Sequence, residues 1–198
     1  MIKFLNICKE TPYLNFKKKY DVAIEHGQEF IEAMSIASYN KKNEEVDLRF
    51  ANLKFVDNCD FIFFTNYNSP KSIAFQSHQQ ISACFFWSKI NTQIRMKANI
   101  KKTSHSYNNN YFKTRSFDKN ALAISSNQSS HISSYDDVNN KYSDVFANRD
   151  LSVCPPYWGG YKFTPYEIEF WEGQKSRINK RDSFIKENDT WMHYILEP

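Results

Sequence analysis

Apolar residues in this chain come in strand-sized runs, and that limits the folds open to it. The densest are Phe61–Phe64 and Ala83–Trp87, far short of the ~20 residues that cross a bilayer. Met34–Tyr39, Val46–Val56, Phe61–Thr65, Ile81–Ser88 and Gln93–Ile100 read as strands, with polar turns at Asn40–Glu45 and Asp57–Asn58 between them. Tyr161–Phe163, Ile168–Trp171 and Trp191–Leu196 add strand-like alternation near the C-terminus. Phe16, Tyr20, Ala23, Ile24, Phe30 and Ile31 recur at helical spacing over Asn15–Ala33, with a break at Gly27. Shorter helices are expected from Ser69 toward His78, over Asn108–Arg115, and through Phe146 after a Ser/Asn-rich loop at Ser125–Ser134. Six or seven short strands with helices around them predict a mainly β fold, a small barrel with peripheral helices. One domain is expected over 1–198, with Pro155–Pro156 opening a C-terminal segment at about 155–198.

The charge balance is mild. A formal net charge of +4 and a pI near 8.7 favour anionic ligands without the basic tail of a nucleic-acid arm. Lys97–Lys102 is a basic patch near aromatics, but no RNP motif accompanies it, so no nucleic-acid partner is expected. Cys8, Cys59, Cys84 and Cys154 are scattered and form no C-x-x-C pair, so free thiols are expected. The five histidines show no metal-binding spacing, and no metal is expected. The N-terminal MIKFLNICKETP has too short and interrupted an apolar stretch for a signal segment. A cytoplasmic protein with no membrane partner is expected.

The chain has only four glycines, and neither G-x-G-x-x-G nor G-x-x-x-x-G-K-[ST] occurs. A nucleotide phosphate would therefore be held by side chains rather than by a glycine-rich backbone cradle. There is no G-x-S-x-G elbow, so acyl transfer has little support. What the sequence offers instead is cationic and amide side chains at strand ends and turns. These are Arg49 and Lys54; Thr65, Asn66, Ser69 and Lys71; Gln93 and Arg95; Tyr111 and Arg115 at helical spacing; Gln128 and Ser129; and Arg177 and Arg181 four residues apart. Charge-assisted hydrogen bonds contribute about 1.5–3 kcal/mol each, so several on one phosphate would grip it firmly.

Taken in order, these residues resemble one family. RFANLKFVDNCDFIFFTNYNSPKS (Arg49–Ser72), TQIR (Thr92–Arg95), YFKTRS (Tyr111–Ser116), NQSSHISS (Asn127–Ser134) and WGGYKFTPYEIEFWEGQKSRINKRDSF (Trp158–Phe184) resemble the blocks of pyridoxamine 5′-phosphate oxidases, in the same order and at similar spacing. The resemblance runs from about Tyr13 onward. It implies an FMN-binding split β-barrel and a homodimer with FMN at the subunit interface. It implies that Arg49, Lys71, Gln128 and Ser129 hold the FMN phosphate and ribityl chain. Phe64, Thr65, Gln93, Trp171, Arg181 and the backbone of Ala51, Asn52, Leu53 and Lys54 would line the rest of the flavin site. Lys54, Tyr111 and Arg115, with Lys119, would bind the phosphate of a vitamin B6 substrate, and Arg177 and Asn179 would cover its ring as the catalytic pair. The implied reaction oxidises pyridoxamine or pyridoxine 5′-phosphate to pyridoxal 5′-phosphate with O2 and releases hydrogen peroxide. An oxidase of another ring compound, as in phenazine biosynthesis, and a non-catalytic FMN-binding protein are the alternatives.

The chain departs from the family pattern at named places. Pro70 stands where the family has Arg, Lys119 where it has Ser, and Asn179 where it has His. An amide at 179 can still donate a hydrogen bond but cannot titrate near neutral pH.

Overall fold

A computed structural model describes residues 1–198. The strands are β1 (Lys3–Ile7), β2 (Ala33–Asn40), β3 (Glu45–Asn52), β4 (Phe55–Asn58), β5 (Asp60–Asn66), β6 (Gln80–Trp87), β7 (Thr92–Lys102), β8 (Trp158–Glu172), β9 (Lys180–Glu187) and β10 (Thr190–Ile195). The helices are α1 (Thr11–Glu25), α2 (Pro70–Ser77), α3 (His105–Lys113), α4 (Phe117–Ser125) and α5 (Tyr135–Asn148). None of them is long and apolar enough to cross a membrane.

The strand order is β1-β4-β5-β8-β7-β6-β2-β3, with β9 added to β8 and β10 to β9. This order forces the sheet to curl. β3 and β4 stand at opposite ends of a seven-strand stretch, roughly 29 Å apart if flat at about 4.8 Å per strand. Yet only Leu53 and Lys54 separate them in the chain, and two residues reach about a third of that distance. The sheet therefore closes on itself at this corner. There Leu53 N donates to Glu32 O (2.9 Å) and Lys54 N to Ile62 O (2.8 Å). No ladder joins β3 to β4, so the barrel is split along that line.

Alternation along the strands fills the interior: Ile81, Ala83, Phe85 and Trp87 on β6 and Ile94, Met96, Ala98 and Ile100 on β7 are all buried. Helix α1, started by Pro12 in its first turn, packs Phe16 edge-on against Phe61 and Phe85 and tilted against Trp87, at centroid distances of 5.1–5.5 Å. Phe16 is fully buried, so its removal would cost about 3–5 kcal/mol.

Several elements differ from the sequence reading. The first helix ends at Glu25, at the expected break, where Gly27 takes a left-handed φ of 70°, so Phe30 and Ile31 fall outside it; it also begins earlier, at Thr11. Val46–Val56 is two strands, cut at the barrel corner. The two C-terminal runs at Tyr161–Phe163 and Ile168–Trp171 are one strand, β8. Pro165 is accommodated there by a bulge, where Glu167 pairs with Lys97 but Pro165 with Ala98. The edge strand β1 and the half-polar β9 carry weak periodicity and are absent from the expected strands, and with β4 split from β3 the count is ten rather than six or seven; helix α4 was also not expected.

Candidate functional site

Strand β5 carries the centre of the site. Its Phe64 ring stacks on Tyr111 of α3 (centroids 3.9 Å, 25°) and on Trp158 at the start of β8 (5.2 Å, 12°). Trp158 in turn carries the Arg115 guanidinium over its face at 4.3 Å. The two glycines after Trp158 permit this close packing. A Cβ on Gly159 would lie 2.2 Å from the Tyr67 hydroxyl, and one on Gly160 would lie 2.6 Å from Thr103 Oγ1. Buried Asn108 braces the same place: Gly160 N donates to its Oδ1 (2.8 Å) and its Nδ2 donates to the Tyr67 hydroxyl (3.0 Å).

One group of donors gathers at the far end of β5. Gln128 Oε1 accepts from Thr65 Oγ1 (3.0 Å), Lys71 Nζ (3.2 Å) and Asn66 N (3.4 Å). Lys71 Nζ also donates to Ser69 Oγ (3.2 Å). Lys71 is 9% exposed, and burial, with the Arg49 charge next in weight, pushes its ammonium down to about 8. Arg49 reaches in from β3, donating Nη1 to Ser38 Oγ (2.7 Å) and Ile36 O (3.2 Å) and pairing with exposed Asp47. Three donors on one neutral amide oxygen, one of them the Lys71 ammonium with the Arg49 charge nearby, form a set that an anion would satisfy better than the amide does.

A second cationic group is formed by Lys54, Arg115 and Lys119. Burial lowers the Lys54 pKa, Glu32 partly opposes this, and the nearby Lys119 and Arg115 charges lower it further. Burial also lowers the Arg115 pKa. Arg115 Nη2 donates to Lys119 O (3.0 Å), while Nη1 is buried with no hydrogen-bond partner. Arg115 lies just past the end of α3 rather than on its helical face, as the spacing to Tyr111 had suggested, and Lys119 sits in the first turn of α4. A cleft of about 230 Å³ is lined by Arg115 and Lys119 of the second group, by Thr65 and Gln128, which contact the first, and by Phe64 and Trp158. A larger cleft of about 770 Å³, between α1 and the β8–β10 edge, contains none of the residues expected at the site.

The remaining expected residues form a separate set. Gln93, Trp171 and Arg181 lie in one row across β7, β8 and β9, as directly opposed pairs. Arg177 and Asn179 stand on the loop before β9, Arg177 exposed with φ 66° and Asn179 Oδ1 accepting from Gln174 N (3.0 Å). Arg177 and Arg181 therefore sit on a loop and a strand, not on one helix. No hydrogen bond or ion pair within the chain links this set to Lys71, Gln128 or Arg115. Ala51 and Asn52 pair with β2, and the Leu53 and Lys54 N–H groups are already bonded at the barrel corner. Ser129 is exposed with φ 70°.

The sequence reading missed Glu169. It is 3% exposed in its side chain and accepts from Arg181 Nε (2.8 Å) and from Arg95 Nη2. Its place in the IEFW run, between apolar neighbours, was the available signal. Trp158 was likewise visible only as the opening of the WGG block.

Residues 158–198 match the family described as the pyridoxine 5′-phosphate oxidase C-terminal dimerisation region. The chain is 33% identical over 192 residues to the pyridoxine/pyridoxamine 5′-phosphate oxidase of Haemophilus influenzae, covering 96% of this chain and 91% of that one. It is 31% identical to the enzyme of the same name from Colwellia psychrerythraea, covering 95% and 87%. In fold it is similar to PhzG from Burkholderia lata 383, solved with tetrahydrophenazine-1-carboxylic acid (TM-score 0.88, 21% identity, covering 96% and 93%). It is also similar to a pyridoxamine 5′-phosphate oxidase-related, FMN binding protein from Nostoc punctiforme (TM-score 0.76, 12% identity, covering 96% and 99%).

Proposed function

The chain belongs to the pyridoxine/pyridoxamine 5′-phosphate oxidase family, and we propose that it is an FMN-dependent oxidase converting pyridoxamine or pyridoxine 5′-phosphate to pyridoxal 5′-phosphate. O2 is the electron acceptor and hydrogen peroxide the by-product. The observation that carries this reading is that two cationic groups meet one cleft: Lys71, with the Arg49 charge nearby, through Gln128 in its lining, and Lys54 through the lining residues Arg115 and Lys119. Two phosphorylated ligands, a cofactor and a substrate, need two such grips.

The residues present fit FMN. Lys71, Arg49, Thr65 and Gln128 would hold its phosphate, the donors now shared on Gln128 Oε1 turning to the anion. Ser129 would join them from the loop. The flavin supplies a hydride acceptor that O2 can reoxidise, and the protein supplies binding and orientation. Lys54, Arg115, Lys119 and Tyr111 would take the substrate phosphate, with the unpartnered Arg115 Nη1 gaining an acceptor. Arg177 would lie over the substrate ring and Asn179 would donate to the ring hydroxyl. These two, together with Gln93, Trp171 and Arg181, would come from the second copy of a homodimer. Val46, Leu48 and Phe50 support that assembly: they expose 73%, 64% and 79% of their surface along one face of β3.

A second reading, oxidation of another anionic ring compound, is favoured by Lys119 and Asn179, which change the substrate end, whereas the cofactor end loses one family Arg at Pro70 and keeps Arg49, Lys71 and Gln128. FMN-loaded protein assayed for peroxide with each B6 phosphate separates the two. Peroxide formation with either compound is the expected result. Flavin that stays oxidised with both, under air and without it, would sink the B6 reading.

A further inference from the structure

We infer that Cys8 and Cys59 form an oxidisable pair that closes to a disulfide when a low-molecular-weight disulfide, such as oxidised glutathione, is the oxidant. The two are 51 residues apart in sequence, but the fold makes them neighbours. β1 runs parallel to β4 with Ile7 opposite Asn58, so Cys8 and Cys59 are the next residues along the same pair of chains. Adjacent strands are about 4.8 Å apart, inside the 4.4–6.8 Å Cα range that a disulfide tolerates. The sulfurs are 2.7 Å apart, so about 0.7 Å of travel reaches the ~2.0 Å bond. A soft metal ion held by both thiolates and Glu10 fits the same atoms less well. Tetrahedral ligation would spread the sulfurs to about 3.8 Å with ~2.3 Å metal–sulfur bonds. Glu10 is also engaged already, accepting from Trp191 Nε1 (2.7 Å) and pairing with Lys186 (3.7 Å).

Cys59 is half-buried and Cys8 is 6% exposed, so Cys59 meets the oxidant first. The Cys59 thiolate attacks one sulfur of the oxidant, breaking its S–S bond and releasing one thiol. Cys8 then displaces the second, so two S–H bonds and one S–S bond are exchanged for one protein S–S bond and two small thiols. Burial, with the neighbouring Cys8 and Glu10, pushes the Cys59 thiol up to about 12. Thiolate is therefore scarce at neutral pH and closure is slow, a matter of hours rather than seconds. The bond would fasten β1 to the β4–β5 turn and close a loop that contains α1, β2, β3 and β4. That constraint acts on the unfolded chain, so the oxidised protein melts at a higher temperature.

The test uses the full chain carrying Cys84→Ser and Cys154→Ser, incubated for hours with oxidised glutathione at mildly alkaline pH and mapped without reduction. The expected result is tryptic peptide 4–9 joined to peptide 55–71, a loss of two hydrogen masses from the intact protein, and an upward shift in Tm that dithiothreitol reverses. With Cys8→Ser added, glutathione should stay attached at Cys59 and the Tm shift should vanish. The same incubation of the wild type guards against a variant that folds poorly. Persistence of both thiols, glutathione retained on Cys59 when Cys8 is present, pairing of either with Cys84 or Cys154 in the wild type, or stoichiometric zinc that blocks both thiols would each overturn the proposal.

Discussion

Glu169 holds Arg181 on one carboxylate oxygen and Arg95 on the other, tying β7, β8 and β9 together two residues along β8 from the Gln93–Trp171–Arg181 row. Burial alone would raise its pKa. The Arg181 hydrogen bond and the two guanidinium charges outweigh that and hold it below the usual glutamate range. A carboxylate with a depressed folded pKa contributes stability above its unfolded value, near 4.3, and loses it as pH falls through the folded value. Glu169→Gln should therefore cost about 1–3 kcal/mol at neutral pH and flatten the loss of stability below about pH 4.3. Urea unfolding at a series of pH values measures both. Equal acid limbs in wild type and variant would show that Glu169 is not the group responsible.

Lys71 provides a pH test of the phosphate grip. Its pKa of about 8 belongs to the protein without an anion. A bound phosphate favours the charged ammonium, so binding takes up a proton once the pH exceeds about 8, and FMN affinity falls as pH rises further. Flavin fluorescence titrations from pH 7 to 9 should show Kd rising above about 8, toward one decade per pH unit. Lys71→Arg should remove that slope, since guanidinium stays charged. Lys71→Met should weaken FMN roughly ten- to a hundredfold below about pH 8, and the gap to the wild type should narrow as the pH rises above it. A pH-independent wild-type Kd would place the FMN phosphate elsewhere.

Much of this arrangement was legible before any coordinates, and the parts that were not share a physical cause. Strands β2, β6 and β7 were readable because one face of each is buried and alternation survives in the side chains, and β5 because it is a continuous apolar run buried on both faces. Strand β1 carries one half-buried residue among five, and β9 mixes charges with its two buried positions, so neither shows a period. The cations at 49, 54, 71 and 115 were found through motif order, but nothing local told which would meet. Convergence of Arg49 with Lys71 depends on the curl of the sheet. Glu169 was hidden because a buried carboxylate between Ile168 and Phe170 looks like the polar half of an ordinary strand until its partners on β7 and β9 are placed.

The apolar stripe on β3 tests the two-copy site. Leu48 and Phe50 lie on one face of an edge strand, and a lone chain would leave both in water. Leu48→Lys with Phe50→Lys should shift the protein from dimer to monomer in analytical ultracentrifugation, with little change in Tm of the isolated chain, because neither side chain packs in its own core. Flavin retention should fall with the dimer, since Gln93, Trp171 and Arg181 would be withdrawn with the second copy. A variant that stays dimeric would place the interface on another face. A monomer that keeps FMN at wild-type affinity would mean one chain suffices.

Arg177 separates substrate from cofactor function. Its side chain is exposed and has no ion-pair partner, and its backbone takes φ 66°, a conformation costing a non-glycine residue about 1–2 kcal/mol. Two explanations of an Arg177→Ala defect must therefore be distinguished: loss of the guanidinium and disturbance of a strained loop. Arg177→Gly relieves the strain while removing the same side chain. Both variants should lower peroxide production with pyridoxine 5′-phosphate by roughly ten- to a hundredfold, the equivalent of one charge-assisted contact. FMN content should stay at wild-type stoichiometry in both. Arg177→Lys should recover part of the rate through its charge alone. If Arg177→Gly turns over normally, the loop conformation rather than the guanidinium is what the reaction needs. If either variant sheds its flavin, Arg177 belongs to the cofactor rather than to the substrate.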